Sequence, residues 1–493
     1  MMLEDWHMSS ICRIVNSVMK RIEKFKRLSK KRRQEILRKS LIVAGYIFAT
    51  CFVVFGTIIL VAYGSGYSYD FKNGKLVHRG LLILESKPSG ATVKLGNRQL
   101  SEKTPYRRSF EEGSYEITLT KDDYRTWNKT LDVIPSRVNL AQYVILLPQR
   151  FQVEPVISYP SIKQSIASRD RKKIAYNVPT GSSPGIYVMD TGSRSQKKVY
   201  SLAAPVEGQP SESVEISEWS DDASKLLVRQ TIGDKISYLI VSMNNDPVIN
   251  LSQDLNVSFT NLRFSLSTWR TLYWNTTEGL KRVDVDEKSV SAPITGPVGG
   301  YNFAGDRIIY VDAADPNKPL WLIETNGRKK KLVESLPASG SYAIDYSTYI
   351  NVPQIVVSAN DANQSFLISD AFDKPNKKLI ATFAGSPLFN GDGRFVVIRG
   401  QDNSGTFDLE LNKLYQFTQP NNKISGVTWF DNYHLQFNRD GQSVISEFDG
   451  NYANVITRGD SLPPSNTQDG DYLFSTSQTS TGTTLIKALK LKL

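Results

Sequence analysis

The chain has 493 residues, which is enough for two or three domains with substantial hydrophobic cores. Its 60 Lys and Arg residues exceed its 49 Asp and Glu residues, so the net charge is +11 at pH 7. Residues 1–40 contribute +8 of this charge, and the remaining 453 residues carry only +3. This balance excludes a strongly basic globular domain, and we therefore expect no nucleic-acid partner.

The basic tail at residues 1–40 has apolar residues at helical spacing between its cations. Such a helix is suited to the anionic inner leaflet of a membrane, where each cation gains about 1 kcal/mol near the surface. The alternative is that the charges only orient the membrane segment that follows. The residues predicted to contact anionic lipid are Lys20, Arg21, Lys24, Lys26, Arg27, Lys30, Lys31, Arg32, Arg33, Arg38 and Lys39.

Residues 41–63 form an uninterrupted run without a charged side chain. As a helix this run is about 34 Å long, which is enough to cross a hydrocarbon core of ~30 Å. The positive-inside rule places the basic tail in the cytoplasm and everything after Tyr63 outside it. We predict an uncleaved signal anchor, and hence a single-pass protein of the cell membrane. A cleaved signal peptide is the alternative, although its apolar core would exceed the usual length of about 7–15 residues.

The two cysteines, Cys12 and Cys51, lie in the tail and in the apolar run, so the part predicted to be exported contains none. That part must then be stabilised by its hydrophobic core rather than by disulfides. This is more typical of a bacterial envelope than of a eukaryotic secretory pathway.

A connector at residues 64–79 contains the hairpin signal Asn73-Gly74, and a small β-rich domain follows at residues 80–148. Short apolar strands alternate there with turn signals, a spacing that predicts a small antiparallel β-sandwich. Tyr124 and Trp127 are expected to close its core. The clearest strands are predicted near Leu81–Glu85, Ala91–Leu95, Tyr115–Thr120 and Lys129–Val133.

The domain contains, in order, Ser86, Pro88, Gly90, Ala91, Val93, Gly96, Thr104, Pro105, Gly113, Tyr115, Lys121, Tyr124 and Trp127. With these residues it resembles the PEGA domain family. Two positions depart from the family pattern, because Ser89 replaces the usual Glu and Glu102 occupies a place where many members have Gly. The resemblance implies a β-sandwich of surface proteins without known catalysis, for which carbohydrate or wall binding is often suspected.

Residues 149–493 repeat a four-strand pattern about every 40 residues, which is typical of a β-propeller. Eight blades are favoured, and seven blades are the alternative because the last unit is weak. Residues 150–158 are expected to supply the outer strand that the last unit lacks, which would pair the two ends of the propeller. The units begin near Ile162, Val214, Asn261, Tyr301, Ser341, Ser386, Ile424 and Pro463.

Three polar turns, at Arg169–Lys172, Ser220–Ala223 and Asn390–Gly393, precede hydrophobic strands of these units. They resemble the turns of TolB-like or WD-type propellers. That resemblance implies a scaffold that commonly binds proteins or peptides on its central face, and it supplies no site residues.

One motif of hydrolases occurs, since Gly181, Ser183 and Gly185 match G-x-S-x-G. A nucleophile elbow requires this motif between a strand and a helix. Here it falls in a loop between two predicted strands, and a proline follows Ser183. The match is therefore interpreted as accidental.

No convincing metal or cofactor motif is present either. The histidines His7, His78 and His434 are far apart in the sequence and do not form a zinc motif. Asp312, Asp315 and Asn317 lack the spacing of an EF-hand and are interpreted as solvated loop residues. Most of five tryptophans that could stack on sugars are predicted to pack in the core, namely Trp219, Trp269, Trp274, Trp321 and Trp429.

We therefore predict a mainly β, membrane-anchored cell-surface binding or scaffold protein without cofactor or metal. Its extracytoplasmic propeller is expected to engage a cell-wall or glycan polymer or a protein partner. The alternative is a propeller-fold enzyme that acts on envelope glycans through loop carboxylates, because propellers also host enzymes. A sensor that signals to the tail is a third hypothesis.

Overall fold

A computed structural model describes residues 30–71, 74–203, 208, 210–417, 424–458 and 462–491. The chain divides into two compact units. The first contains residues up to Leu119 together with Lys129–Val144, and the second contains Thr120–Asn128 together with Ile145–Leu493.

The first unit begins with helix α1 (Lys30–Gly64). Within it, Leu37–Gly64 contains an 18-residue window with a mean hydropathy of 2.3, and none of that window is buried by protein. The 28 residues of Leu37–Gly64 span about 42 Å, so the helix is long and apolar enough to cross a membrane. The same length and composition would also suit a signal sequence.

In the described residues, eight strands follow and form a β-sandwich. One sheet has the order β1-β2-β5, with β8 also paired to β2, and the other has the order β4-β3-β6-β7. Leu82 and Leu84 of one sheet and Ile117 and Leu119 of the other are fully buried, so they form the core of the sandwich. The strands are β1 (Tyr67–Asp70), β2 (Lys75–Lys87), β3 (Thr92–Leu95), β4 (Arg98–Lys103), β5 (Tyr106–Glu111), β6 (Gly113–Thr120), β7 (Trp127–Val133) and β8 (Val138–Ile145).

Several of the PEGA-like residues meet in one buried hydrogen-bond cluster. The Thr104 hydroxyl lies 2.6 Å from the Ser86 hydroxyl and accepts the Ala91 N–H at 2.9 Å. The Thr104 backbone N–H donates to Ala91 O, and the Gly90 N–H donates to Thr104 O. These contacts join the two signature turns, which explains why hydroxyl and small residues are needed at these positions.

The described residues of the second unit form eight four-stranded antiparallel sheets in sequence order, which we name blades 1 to 8. Blade 3 is preceded by the one-turn helix α2 (Leu251–Asp254). Blades 1 to 4 contain β10 (Gln164–Ala167), β11 (Lys173–Val178), β12 (Gly185–Asp190), β13 (Gln196–Ser201), β14 (Glu212–Trp219), β15 (Lys225–Ile232), β16 (Lys235–Ser242), β17 (Ile249–Asn250), β18 (Leu262–Phe264), β19 (Thr271–Thr276), β20 (Gly279–Asp284), β21 (Ser289–Val290), β22 (Val298–Ala304), β23 (Arg307–Asp312), β24 (Pro319–Glu324) and β25 (Lys331–Ser335).

Blade 8 differs from the others because its fourth strand comes from the start of the unit. Blades 5 to 8 contain β26 (Tyr342–Tyr349), β27 (Val352–Ala359), β28 (Gln364–Ser369), β29 (Asn376–Ala381), β30 (Ser386–Phe389), β31 (Phe395–Arg399), β32 (Ser404–Asp408), β33 (Lys413–Gln416), β34 (Ile424–Trp429), β35 (His434–Arg439), β36 (Gln442–Glu447), β37 (Asn454–Arg458), β38 (Ser465–Asn466), β39 (Tyr472–Gln478), β40 (Thr484–Lys490) and β9 (Gln152–Tyr159).

Neighbouring blades meet along their first strands, as in the contacts of β10 with β14 and of β22 with β26. Blade 8 also packs against blade 1, where Phe474 and Ile486 share an apolar cluster with Ile174 and Tyr176. The sheets therefore form a closed β-propeller whose blades bury their faces against one another.

The pairing of β9 with β40 closes the ring. It runs antiparallel from Tyr159 opposite Thr484 to Gln152 opposite Lys490. This confirms the expectation that the residues after position 150 supply the outer strand of the last unit.

A short polar turn recurs after the first strand of four blades. Its first side chain bonds to an aspartate two residues later and accepts the backbone N–H of the residue five positions later. In blade 1 this turn begins at Ser168, one residue before the predicted tetrad. The equivalent pairs are Ser168–Asp170, Ser220–Asp222, Asn390–Asp392 and Thr467–Asp469.

The segment Thr120–Asn128 belongs to the second unit, although it is remote in sequence from most of it. The fully buried Trp127 donates its indole N–H to Glu447 at 2.5 Å. Arg125 donates to Val455 O at 3.0 Å. These bonds to blade 7 were not predicted from the sequence.

Candidate functional site

A cleft opens between blades 2 and 3 because their first strands differ in length. β14 has eight residues, whereas β18 has only three and leaves part of blade 2 uncovered. The cleft has a volume of about 630 Å³. We call it the inter-blade cleft, and it is lined by Glu215, Ser217, Glu218, Arg229, Ile236, Tyr238, Phe259, Thr260, Asn261, Leu262 and Arg263.

A β-bulge in β14 brings two carboxylates to this cleft. The register against β15 shifts between Ile216 and Glu218, so Ser217 is an extra residue. In a regular strand, Glu215 and Glu218 would point to opposite faces, because side chains alternate. The extra residue restores Glu218 to the side of Glu215, and re-aiming a side chain is a common role of bulges.

Each carboxylate lies beside an arginine. Glu215 is 3.5 Å from Arg229, and Glu218 is 3.6 Å from Arg263. The Glu218 side chain is 25% exposed, whereas the other three side chains are 40–61% exposed. The cleft therefore offers both hydrogen-bond donors and acceptors to a ligand.

Glu218 is the most enclosed charged group of the cleft. Burial raises its pKa, although Arg263 and the backbone N–H of Phe264 oppose that effect. The Phe264 N–H donates to Oε1, while Arg263 lies next to Oε2. Both carboxylate oxygens therefore already have a partner, and Glu218 links β14 to β18.

Aromatic rings support the polar groups. The Arg263 guanidinium lies 5.7 Å from the ring centres of Tyr301 and Phe303 in blade 4, which are favourable cation–π distances. Phe259 is buried and contacts the Trp274 ring edge-on at 5.1 Å. The cleft thus has rigid walls with a few charged groups, as small-ligand and peptide sites commonly do.

The predicted lipid-contact residues are located elsewhere and are only partly described. Lys30, Lys31, Arg32, Arg33, Arg38 and Lys39 lie in α1, and the side chains of Lys30, Arg32, Arg38 and Lys39 are exposed. Lys20, Arg21, Lys24, Lys26 and Arg27 lie outside the described residues. Contact with anionic lipid stays a prediction.

The G-x-S-x-G motif lies in the loop between β11 and β12, as expected from the sequence. The Ser183 hydroxyl accepts a hydrogen bond from Lys198 Nζ at 2.9 Å, and Tyr187 donates to Ser183 O. Gly185 then begins a strand rather than a helix. The local structure is therefore not a nucleophile elbow.

The loop that contains Asp312, Asp315 and Asn317 uses its carboxylates internally. Asp312 accepts the Ala314 N–H at 3.0 Å, and Asp315 accepts the Asn317 N–H at 2.9 Å. Lys318 also donates to Ala313 O in this loop. In the part of the chain that the structure describes, no group of three or more His, Cys, Asp or Glu residues is arranged to hold a metal ion.

The tryptophans serve mainly in packing. Trp219 and Trp429 are buried and donate their indole N–H groups to Ile166 O and Leu388 O of the preceding blades. Trp321 lies under Lys330, whose Nζ is 4.0 Å from the ring centre. Trp269, Trp274 and Trp321 are only partly buried and pack against the hydrophobic clusters. The predicted core role therefore applies fully to Trp219 and Trp429.

Sequence reasoning did not identify the cleft. Glu215 and Glu218 appeared only as polar residues of a strand, and Arg229 and Arg263 lie on other strands. The available signal was the sequence EISEW, in which the two glutamates break simple alternation. The shortness of β18 had no clear signal.

Comparison with known proteins identifies one domain of the chain. Residues 79–143 match the model of the PEGA domain family. No curated protein matches the chain by sequence. Among solved structures, the Dos1 propeller is 12% identical, with a TM-score of 0.45, and the match covers 69% of this chain and 95% of that one.

Two enzymes also resemble this chain in structure. An oligogalacturonate lyase in complex with manganese is 12% identical, with a TM-score of 0.39 and coverage of 69% of this chain and 98% of the lyase. Dipeptidyl peptidase 4 of Porphyromonas gingivalis is 11% identical, with a TM-score of 0.41 and coverage of 66% of this chain and 57% of the peptidase. Such distant similarities transfer no activity, ligand or partner. The chain contains a PEGA domain at residues 79–143, followed by a β-propeller.

Proposed function

We propose that this chain is a single-pass membrane protein whose propeller lies outside the cytoplasm and binds an envelope partner in the inter-blade cleft. The partner is a cell-wall or glycan polymer, or a protein. The cleft is the observation on which the proposal depends, because it combines an open volume with two arginines and two glutamates. The outward orientation follows from the basic tail that precedes α1.

The chemistry of the cleft suits a polar ligand with both donors and acceptors. Arg229 and Arg263 can each donate two parallel hydrogen bonds to a carboxylate or to neighbouring hydroxyls. Glu215 is well exposed and can accept hydrogen bonds from hydroxyl or ammonium groups. The side chains of Phe259 and Tyr238 add apolar surface beside them. Sugar rings and charged peptide segments both present such a mixture.

An enzyme is the second candidate, because Glu215 and Glu218 share one cleft and the pKa of Glu218 is raised by burial. Glycosidases use two carboxylates, one of them with a raised pKa. Binding is preferred, since both oxygens of Glu218 are engaged by Arg263 and the Phe264 N–H. Release of sugar from wall polysaccharide by the wild-type chain, abolished by Glu218→Gln, would favour the enzyme instead.

The binding proposal is tested by co-sedimentation of the detergent-solubilised full chain with purified cell walls. We expect the wild-type chain to sediment and the double variant Arg229→Gln, Arg263→Gln to remain mostly in solution. Arg270→Gln is the matched control, because Arg270 forms a similarly exposed ion pair with Asp286 outside the cleft. Equal sedimentation of the double variant would exclude the cleft as the wall site. If the wild-type chain stays in solution, the partner is not the wall polymer.

Orientation is tested separately by treating whole cells with an external protease. We expect the propeller to be digested without lysis. Digestion only after lysis would show that the propeller is cytoplasmic.

A further inference from the structure

The hairpin β1–β2 begins directly after the apolar helix. Only Ser65 and Gly66 separate the end of α1 from β1. Gly66 has a φ of 80°, and a Cβ at this position would lie 2.6 Å from Arg79 O. Glycine is therefore required to end the helix and redirect the chain into the hairpin.

Hydrogen bonds fix the base of the hairpin to the helix end. Ser65 O lies 2.9 Å from His78 Nε2 and also accepts the Ser136 hydroxyl. The Arg79 N–H donates to Gly66 O at 2.8 Å. Hydrogen bonds therefore hold the connection between α1 and the hairpin in place within the first unit.

One face of this hairpin is apolar and exposed. Tyr67 and Tyr69 alternate along β1, and Leu76 of β2 pairs with Tyr69. Phe71 follows the end of β1, and its ring contacts Tyr69 edge-on at 5.1 Å. Phe71 is 89% exposed, Leu76 is 66% exposed, and Tyr69 is 54% exposed. Tyr67 stacks on His78, with their ring centres 4.2 Å apart.

The same face of β2 forms the sandwich core farther along the strand. Side chains of β2 alternate, so Leu76 and His78 point to the side on which Leu82 and Leu84 are fully buried. The core-facing surface therefore continues into the hairpin, where it is left uncovered. Four large exposed apolar or aromatic residues within ten positions indicate an interaction surface.

We propose that this face lies in the headgroup layer of the outer leaflet and anchors the PEGA domain to the membrane surface. The inference rests on the proposed membrane-spanning role of α1. Three Cα–Cα steps of about 3.8 Å place Tyr67 at most ~11 Å from the helix end. The headgroup layer is itself about 5–8 Å thick. Tyr rings favour that layer because they are apolar at one end and polar at the other.

The location favours lipid over a second copy of the chain. The hydrogen bonds at Ser65 hold the base of the hairpin next to the end of a helix that is exposed along its whole apolar length. A membrane surface can therefore cover this face with no additional partner.

The experiment uses the full chain reconstituted in vesicles of phosphatidylcholine and phosphatidylglycerol. Cys12→Ser and Cys51→Ser provide a cysteine-free background, and Phe71→Cys then carries a nitroxide label. Collision rates with oxygen, which concentrates in lipid, are compared with those of a water-soluble nickel chelate. Ile350→Cys is the matched control, because Ile350 is 74% exposed but belongs to the propeller.

We expect the label at position 71 to shift toward oxygen relative to the label at position 350. If both labels collide mainly with nickel while the chain floats with the vesicles, the hairpin anchor is wrong and the membrane-spanning helix stands. Spin–spin broadening at position 71 that disappears on dilution with unlabelled chain would assign the face to a second copy and overturn the proposal. Failure of the chain to float would overturn both the helix assignment and the hairpin anchor.

Discussion

The junction between blades 2 and 3 and the junction between blades 5 and 6 use the same link in different surroundings. In both, a carboxylate of a first strand accepts the backbone N–H of a phenylalanine in the next blade. Glu218 accepts from Phe264, and Asp345 accepts from Phe389 at 2.8 Å. Burial raises the pKa of both carboxyl groups.

The two junctions differ in how their polar groups are used. At the second, Asn302 from blade 4 donates to Asp345 at 3.2 Å, and Arg399 donates to Ser386 O and Val427 O. At the first, Arg263 is 42% exposed and faces the cleft. The buried carboxylate is therefore a structural link in both places, and the exposed arginine is what makes the first junction suited to a ligand.

The largest expected effect is the loss of stability on removing the enclosed carboxylate. Asp345→Ala removes the acceptor of two buried donors, the backbone N–H of Phe389 and the side-chain amide of Asn302. We expect this substitution to lower the free energy of unfolding by about 3 kcal/mol. Glu218→Ala should cost only about 1–2 kcal/mol, because the cleft admits water to Phe264. Urea unfolding of each variant measures the difference. Equal losses would contradict the distinction between the two junctions.

The second prediction separates binding from stability at the two arginines. Arg263→Gln should weaken binding to purified cell walls about tenfold, or about 1.4 kcal/mol, by removing a charged donor from the cleft. Arg399→Gln should leave that binding unchanged and lower stability by about 1–2 kcal/mol, because its carbonyl partners lose buried donors. Sedimentation isotherms and urea unfolding are compared for both. Reduced binding in Arg399→Gln alone would reverse the assignment.

The third prediction concerns pH. The folded-state pKa of Glu218 is raised above its ordinary value of 4.5, so the folded chain binds more protons than the unfolded chain above that pH. The stabilising contribution is complete below pH 4.5 and is lost as pH rises through the folded-state pKa. Glu218→Gln should therefore flatten the pH dependence of the unfolding free energy from pH 4.5 upward.

Asp345→Asn should likewise flatten the pH dependence of the unfolding free energy, in this case above pH 3.8, which is the ordinary pKa of an aspartate. Glu215→Gln is the control, because Glu215 is largely exposed. If the Glu218→Gln profile parallels that of the wild-type chain, the pKa of Glu218 is not raised in the folded state.

The smallest effect is expected at the outer ion pair of the cleft. Arg229→Gln should change the free energy of unfolding by less than about 0.5 kcal/mol, since exposed ion pairs contribute little. Urea unfolding in low and high salt measures it. A loss of more than about 1 kcal/mol in the free energy of unfolding would mean that the ion pair of Arg229 with Glu215 stabilises the blade.

The sequence predicted features that depend on local patterns. The charge-free run predicted the apolar part of α1, and the ordered Pro, Gly, Ala and Thr-Pro residues predicted the sandwich. The repeat of about 40 residues predicted the propeller. Even the outer strand of the last blade was accessible, because FQVEPVISY is strand-like and that unit lacked one. Each of these signals is contained in a short window of sequence or in a period.

The cleft was not accessible in that way. It depends on the bulge at Ser217 and on the three-residue length of β18, and both arise from packing between blades. The bond from Trp127 to Glu447 joins residues 320 positions apart, so spacing gives no hint of it. Long-range pairing of this kind requires the folded arrangement.

The pairing of β9 with β40 also constrains the order in which the propeller can fold. Ser158 of β9 bonds to Thr483, which is made 325 residues later. At roughly 5–20 residues per second, β9 waits about 15–65 s for its partner during synthesis. In that interval it is an unpaired edge, and Glu154 and Pro155 within it are residue types that discourage pairing with other chains. A chain that stalls before residue 484 would keep this edge open, with these two residues as its protection against aggregation.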